Sequence, residues 1–529
     1  MDQFSRLSHL RRSLLIVTLF IAVNSLPIVT QAGGSQRAAV TRLGSATYLG
    51  GTAVDHGRVV GMDAQGTIYV ALDTFSTNIN GTDFQNAGGE DILVVKLSPD
   101  STEILGGLAI GGTSSDKVGG MAVTPQGEVV LAVDTSGTSF PLKNPLHDID
   151  VSYNHGVVLK INAALDDLVF STYTWTQVDP SLHNVAVDGA GNVTLASYYY
   201  SPSTRARNMV VQTYSPDGQQ LLRVKNWAND TVDERPQAVV VQPNGTAYIA
   251  GYTESRHSDF AVTENALQKV CGRKLTQGST RDCDNDAFVV RLTPNGDVDY
   301  ASYLGGNGDD RAVGMAVDSY GAMYLLGSTT AQDFPTTAGA LQPRCRVVQP
   351  EDGCYYDMFV AKLDADGSAL AYSTYLASSD VSGLDYPAAI AVDAAGNATV
   401  VGRTASQQWP VKGAVQPTLN VAPCPNAFQD RLCFDSVATT FGPDGQLVFG
   451  SYVGGSFDEY SNDLALGTDG SMYMVGSTES ADFPTTAGVA QPRARSDSDA
   501  FLIHFTATDT TPQPQPQGKG RVYLPFVRN

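Results

Sequence analysis

The chain runs to 529 residues and carries 54 Asp and Glu against 33 Lys and Arg, a formal net charge of -21 at an isoelectric point near 4.6. Such a charge repels nucleic-acid backbones and anionic lipid headgroups unless it is offset locally, and past the first dozen residues no basic stretch supplies the offset. With 52 Gly, 26 Pro and 42% hydrophobic residues, the composition excludes a disordered chain and fits a strand-rich globular protein with many turns.

At the N-terminus, Arg6, Arg11 and Arg12 precede the apolar run Leu14–Val23, and Thr30-Gln31-Ala32 places small residues where a signal peptidase needs them. Residues 1–32 read as a secretory signal, too short and wrongly flanked for a membrane span. No later segment holds eighteen consecutive apolar residues, so the mature chain is expected to be exported, either secreted or held at the cell surface. Residues 33–41 form a leader to the first strand.

From Arg42 to about residue 508 one unit recurs. Tyr303, Tyr375 and Tyr452 mark equivalent points, 72 and 77 residues apart. Each unit contains four runs with strand character, here called A to D in chain order. After Tyr303 they are Ala312–Asp318, Met323–Ser328, Asp357–Leu363 and Ala369–Leu376, with the short turns Asp-Ser-Tyr-Gly and Asp-Ala-Asp-Gly suited to antiparallel hairpins. Apolar residues occupy both faces of several strands, the pattern of a sheet packed between two others. Seven equivalents of strand A follow one another: Arg58–Ala64, Val118–Thr124, Asn184–Asp188, Pro236–Gln242, Ala312–Asp318, Ala388–Asp393 and Asn462–Gly467. The third and fourth units diverge most.

Such units read as the blades of an all-β, seven-bladed β-propeller with four antiparallel strands per blade. The last unit stops after its strand C, Phe501–Thr506, while Arg42–Gly51 is a strand D with no unit before it. Docking one on the other closes the ring and removes an open sheet edge.

Tyr-Leu-Gly-Gly at Tyr48 and Tyr303 becomes Tyr-Val-Gly-Gly at Tyr452, and the glycines are expected to adopt dihedrals that other residues resist. Asp333-Phe334-Pro335 and Asp482-Phe483-Pro484 follow strand B, with Phe140-Pro141 and Trp409-Pro410 in matching places; the aromatic is expected to anchor adjacent blades. These pieces resemble the SBBP (seven-bladed β-propeller) repeats of bacterial exported proteins, through the Tyr-Leu-Gly-Gly strand end, Gly314–Asp318 with Gly321, and Asp333–Gln342, repeated at Asp482–Gln491. The resemblance spans Arg42 to Thr506 and implies a propeller scaffold on secreted or surface proteins, with no catalytic residues to carry over.

The long B-to-C loops hold all six cysteines, in the close pairs Cys271 with Cys283, Cys345 with Cys354 and Cys424 with Cys433. Six cysteines admit fifteen pairings, and local disulfides in an oxidising compartment are the favoured reading over a zinc site, since no tight C-x-x-C spacing occurs. The D-to-A loops each contain an acid: Asp55, Asp116, Asp179, Asp230 with Asp233, Asp309 with Asp310, Asp380, and Asp458 with Glu459. Oxygen-rich rings of this kind hold Ca²⁺, whereas an Asp in a Gly-rich turn more often caps backbone amides; Asp55, Asp116, Asp179, Asp309, Asp380 and Asp458 are the candidate metal ligands.

His56, His147, His155, His183 and His257 form no repeated or metal-spaced set, and His183 near Asp179 is the one placed at the mouth. No catalytic motif stands in suitable context. The expected function is therefore a non-catalytic binding or structural module, presenting an acidic, loop-rich face to an extracellular protein or polysaccharide. The alternative is a hydrolase or polysaccharide lyase with its site at the propeller mouth. Residues 509–520 form a Pro/Gln-rich linker, and 521–529 an apolar tail similar to those ending exported proteins of some filamentous green bacteria, expected to serve attachment or sorting.

Overall fold

Every repeat folds as a four-stranded antiparallel meander, its A-to-B and C-to-D hairpins closed by short turns, and seven such sheets form a ring. The computed structural model describes residues 41–507 apart from 80–81, 84–85, 87, 149–154, 175–180, 202–205, 228–232, 254–259, 273–283, 347–352, 378–383, 421–423 and 425–431. The signal, linker and tail expected from the sequence lie outside the described residues, among which there is no helix. In blade five, strands A to D are Asp310–Val317, Met323–Thr329, Asp357–Leu363 and Leu370–Leu376. Blade seven combines Glu459–Leu466, Met472–Thr478 and Asp499–Ala507 with Thr41–Leu49 from the other end of the chain. Tyr48 pairs with Phe501 and Leu49 with Ala500, so the expected closure is present.

The buried hydrophobic residues divide into seven clusters, one at each blade junction. This is the physical reason for strands that are apolar on both faces: each blade has a neighbour on either side. The loop aromatics join these clusters. Phe334 stacks on Phe359 at 4.3 Å within its own blade and belongs to the cluster between blades four and five; Phe483 does the same on Phe501 at 4.8 Å, between blades six and seven.

Two motifs that look separate in sequence meet in space. The buried Tyr375 hydroxyl donates to the Ala331 carbonyl at 2.7 Å and accepts from the Phe334 amide at 3.0 Å. Tyr48 repeats this with Ser480 and Phe483, and Tyr452 with Ser406 and Trp409. The glutamine closing the Asp-Phe-Pro segment then accepts from the residue after strand D: Gln491 from Gly50 at 3.0 Å, Gln342 from Ala377 at 2.7 Å. The same segment runs along strand D, with Thr337 bonded to Ser373 and Gln342 to Tyr375, covering a sheet edge that would otherwise be open.

Strand A begins earlier than the sequence pattern indicates, at Asp55–Met62, Asp116–Val123, Ser181–Val187, Glu234–Val241, Asp310–Val317, Asp385–Val392 and Glu459–Leu466. In all seven a one-residue bulge interrupts the pairing with strand B. The bulge breaks the two-residue alternation, so the residues before it read as loop. Replacing Tyr375 by Phe strands a buried amide and removes the donor to a buried carbonyl. The expected loss is about 1–3 kcal/mol, read as a lowered midpoint in thermal or urea unfolding.

Candidate functional site

The shift in strand A changes the meaning of the acids. In every blade but the third, the first residue of strand A is a carboxylic acid, and Asp55, Asp116, Glu234, Asp310, Asp385 and Glu459 are all at most 2% exposed. Each lies opposite the last residue of strand B, in turn opposite the first residue of strand C, giving rows such as Asp310–Thr329–Asp357. The acid of strand A holds the turn arriving from the previous blade. Asp310 accepts from the Gly306 amide at 2.7 Å, Asp55 from Gly51 at 2.7 Å, Asp116 from Gly112 at 2.6 Å and Glu459 from Gly455 at 2.8 Å. The threonine ending strand B takes another oxygen, Thr478 reaching Glu459 at 2.7 Å. The acid of strand C holds the long B-to-C loop: Asp435 accepts from Gln416 at 2.7 Å and Asn420 at 3.1 Å, and Asp286 from Gly272 at 2.9 Å.

At the junction of blades four and five these two acids converge. A Cβ on Gly305 would lie 2.5 Å from Asp286 Oδ1 and 2.6 Å from Asp310 Oδ2, so the oxygens stand within about 5 Å of each other, close enough to oppose joint ionisation. Gly454 between Asp435 and Glu459, and Gly50 between Asp499 and Asp55, repeat the arrangement. None of these glycines has a positive φ. The expectation of unusual dihedrals in the Gly-Gly turn is thus corrected: glycine is required because two carboxyls close on its α-carbon. Left-handed glycines occur instead in the minimal turns, as at Gly321 (φ 89).

Burial pushes the carboxyls upward, Asp55 to about 6, Asp310 to about 7 and Glu459 to about 8. Their partners follow, Asp435 to about 7 and Asp286 to about 9, the Asp310 carboxylate adding to desolvation in the last case. Asp286 Oδ2 and Asp435 Oδ1 are buried without a hydrogen-bond partner among the described residues.

The sequence candidates separate accordingly. Asp55 and Asp116 are fully buried turn clamps and do not line an open mouth. Asp309, one residue before its strand A, accepts from Asn285 Nδ2 at 2.6 Å and Arg311 Nη2 at 2.7 Å; Asp458 accepts from the Phe434 amide at 2.7 Å and the Tyr460 hydroxyl at 3.0 Å. Asp179, Asp230 and Asp380 lie outside the described residues, as do His257 and the side chain of His183. His155 is buried, standing in blade two where five other blades begin strand C with an aspartate, and His504 stacks on Tyr473 at 4.4 Å. Cys345–Cys354 and Cys424–Cys433 are disulfides, and Cys271 is disulfide-bonded while Cys283 lies outside the described residues. Asp357 lies beside the first pair and Asp458 beside the second, groupings with metal-ligand proximity whose sulfurs are already joined to each other. The disulfides fit an oxidising compartment. No helix among the described residues is long and apolar enough to cross a membrane.

A cavity of about 260 Å³ is lined from strand A of all seven blades, including Arg58, Gly120, Asn184, Gln237, Gly314, Ala388 and Asn462. It marks strand A as innermost, and the bulge residues Arg58, Gln237, Ala388 and Asn462 line it. Two residues nearer the loop-rich end stand His56, Lys117, Arg235, Arg311, Tyr386 and Tyr460. Because strand side chains alternate, burying the acid at position one turns position two outward. Position two therefore places cations and aromatics at the rim, beside the acids Asp233, Asp309 and Asp458. Arg235 and Arg311 both lie over Tyr252, at 5.6 and 5.0 Å. Arg403 lies between Tyr386 and Tyr460, at 4.6 and 4.8 Å. Asp233 fixes Arg207 and Arg235, at 3.2 and 2.8 Å.

Neither a family model nor a curated protein matches the chain. Solved structures do. A protein of unknown function from Dyadobacter fermentans aligns over 88% of this chain and 99% of its own at 11% identity and a TM-score of 0.38. An ulvan lyase of a new polysaccharide lyase family aligns over 81% and 93% at 9% identity and 0.40. An α-L-arabinanase of Penicillium chrysogenum, complexed with arabinobiose, aligns over 73% and 92% at 7% identity and 0.36. At these identities and scores the likenesses carry no functional argument. The chain's own strand order defines its class: a seven-bladed β-propeller closed by its N-terminal strand.

Two outcomes follow from the junction acids. Gly305→Ala should destabilise the ring by about 1–3 kcal/mol, with partial recovery when Asp286→Ala is added, by thermal unfolding. Carboxyls with raised folded pKa bind more protons native than unfolded, so their contribution is complete below about pH 4 and is lost as pH rises through 6 to 9. The melting temperature should fall across that window, and Asp286→Asn with Glu459→Gln should flatten the slope.

Proposed function

We propose that this chain is a non-catalytic binding propeller, secreted or held at the cell surface, which takes an extracellular protein or glycan on its loop-rich face. The observation that carries the reading is the rim. Half-exposed Arg and Tyr side chains, held by acids and by one another, surround the mouth of the central cavity on the face from which the long, disulfide-bearing loops rise. Fixed aromatic and guanidinium groups bind with little ordering entropy left to lose. The disulfides, the signal-like N-terminus and the resemblance to SBBP repeats support an exported, surface-associated protein.

Calcium enters as a structural ion. The paired junction acids supply hard oxygen donors, with Asp286 and Asp435 each holding an oxygen free of hydrogen bonds among the described residues. A divalent ion there would take over from the protons that such pairs need at neutral pH. At pH 8, millimolar Ca²⁺ should raise the melting temperature and chelator should lower it again. An unchanged melt, with no heat in calorimetric titration, would end the calcium reading.

The binding reading is tested with the exported protein and panels of extracellular polysaccharides and proteins. Saturable binding without released product is expected. Product that disappears on mutating the rim would overturn it in favour of a hydrolase or lyase.

A further inference from the structure

The rim is more ordered than a binding surface in general requires. Tyr252 lies between the guanidiniums of Arg235 and Arg311, which belong to adjacent blades, and its hydroxyl is 3.3 Å from Arg235 Nη1. Arg403 lies between Tyr386 and Tyr460, again from adjacent blades, with Phe434 at 5.4 Å. Arg207 lies near Tyr198 and Tyr200, at 5.9 and 5.8 Å, and shares Asp233 with Arg235. Alternating Arg and Tyr therefore follow the mouth across blades three to seven.

These groups remain open to solvent. The Arg235 and Arg311 side chains keep 27% and 35% of their exposure, and Tyr386 keeps 37%. Tyr356 keeps 47%, its hydroxyl 3.3 Å from Asp309, the partner of Arg311. Its φ is 50, a left-handed conformation that a bulky residue adopts only when its surroundings impose it.

The charge is the second observation. In a chain of net charge -21 with 33 Lys and Arg, four arginines gather on this one rim, three of them paired with the acids Asp233 and Asp309, while the acids that begin strands A and C are sealed beneath it. Guanidinium forks pair with carboxylate and sulfate groups in bidentate fashion, and tyrosine faces pack against the C–H surfaces of sugar rings. A polymer with a sugar ring and an anionic substituent on each residue meets both at once.

We propose that the Arg–Tyr ladder around the loop-face mouth binds an acidic polysaccharide, its anionic substituents on Arg235, Arg311 and Arg403 and its sugar rings on the exposed Tyr386 and Tyr356. This rests on the binding reading above and names the class of partner.

The test uses the exported protein with polygalacturonate, dextran sulfate and neutral dextran, by calorimetry or affinity electrophoresis at two ionic strengths. Binding to one or both acidic polymers, weakening with salt and absent on dextran, is expected; which polymer is preferred separates carboxylate from sulfate recognition. Arg311→Gln with Arg403→Gln should weaken it at least tenfold. Arg291→Gln, which removes the same kind of pair from the opposite face (Arg291 over Tyr300 at 5.8 Å), should leave it unchanged. If the double variant melts early, Tyr386→Leu on the exposed edge takes its place. Equal binding to dextran, or full affinity in the rim variants, overturns the proposal. Silence on all three polymers also overturns it, yet leaves the general binding reading to its own panel. Cleavage of an acidic polymer with a raised KM in the rim variants would instead sustain the ligand and overturn the non-catalytic reading.

Discussion

A propeller blade has two apolar faces and no means of covering either, so its stability resides in the junctions. The chain must also cross each junction, from the outermost strand of one blade to the innermost strand of the next. At four of the seven junctions that crossing is a Gly-Gly turn, Gly50-Gly51, Gly111-Gly112, Gly305-Gly306 and Gly454-Gly455, gripped by two buried carboxyls, one from the start of strand A and one from the start of the preceding strand C. The carboxyls fasten the D-to-A turn and the B-to-C loop to the same point. At these junctions the clamps fix the turns that lead into the loop-rich face, and the cost is a set of buried acids that resist ionisation.

Around the clamp between blades seven and one the repeat's recognisable pieces form one network. Tyr48, before Gly50-Gly51, bonds into the Asp482-Phe483-Pro484 loop through Ser480 and Phe483, Phe483 enters the cluster between blades six and seven, and Gln491 returns to Gly50. Blade three shows what happens when pieces are missing. Its strand C begins with Ala206, and its outer strand Leu221–Asn226 leaves Leu222 and Val224 exposed. In its neighbours, blades two and four, strand D is buried from its third residue onward.

The surface follows from the same geometry. An acid buried at the first position of strand A obliges the second position to face the mouth, and across blades four to seven those positions hold Arg235, Arg311, Tyr386 and Tyr460. Part of the chain's acidity is thus internal, where it does structural work, while the described rim combines arginines and tyrosines with the acids Asp233, Asp309 and Asp458 that hold them.

The seven repeats, their four strands, the swapped closing strand and the local disulfides Cys345–Cys354 and Cys424–Cys433 were all readable from the chain, because hydrophobic alternation, turn glycines and cysteine spacing are local signals. The roles of Asp55, Asp116 and Asp309 were not. Whether an aspartate near a glycine turn faces a channel, a backbone amide or a guanidinium depends on a bulge that shifts the alternation and on a carboxyl from another blade. The Arg–Tyr ladder was equally invisible, since Tyr252 and Arg311, or Arg403 and Tyr460, lie some sixty residues apart and meet only across a junction. Local chemistry in the sequence determines the blades; the contacts that make a surface out of them arise between blades, where only the closed ring decides which side chains meet.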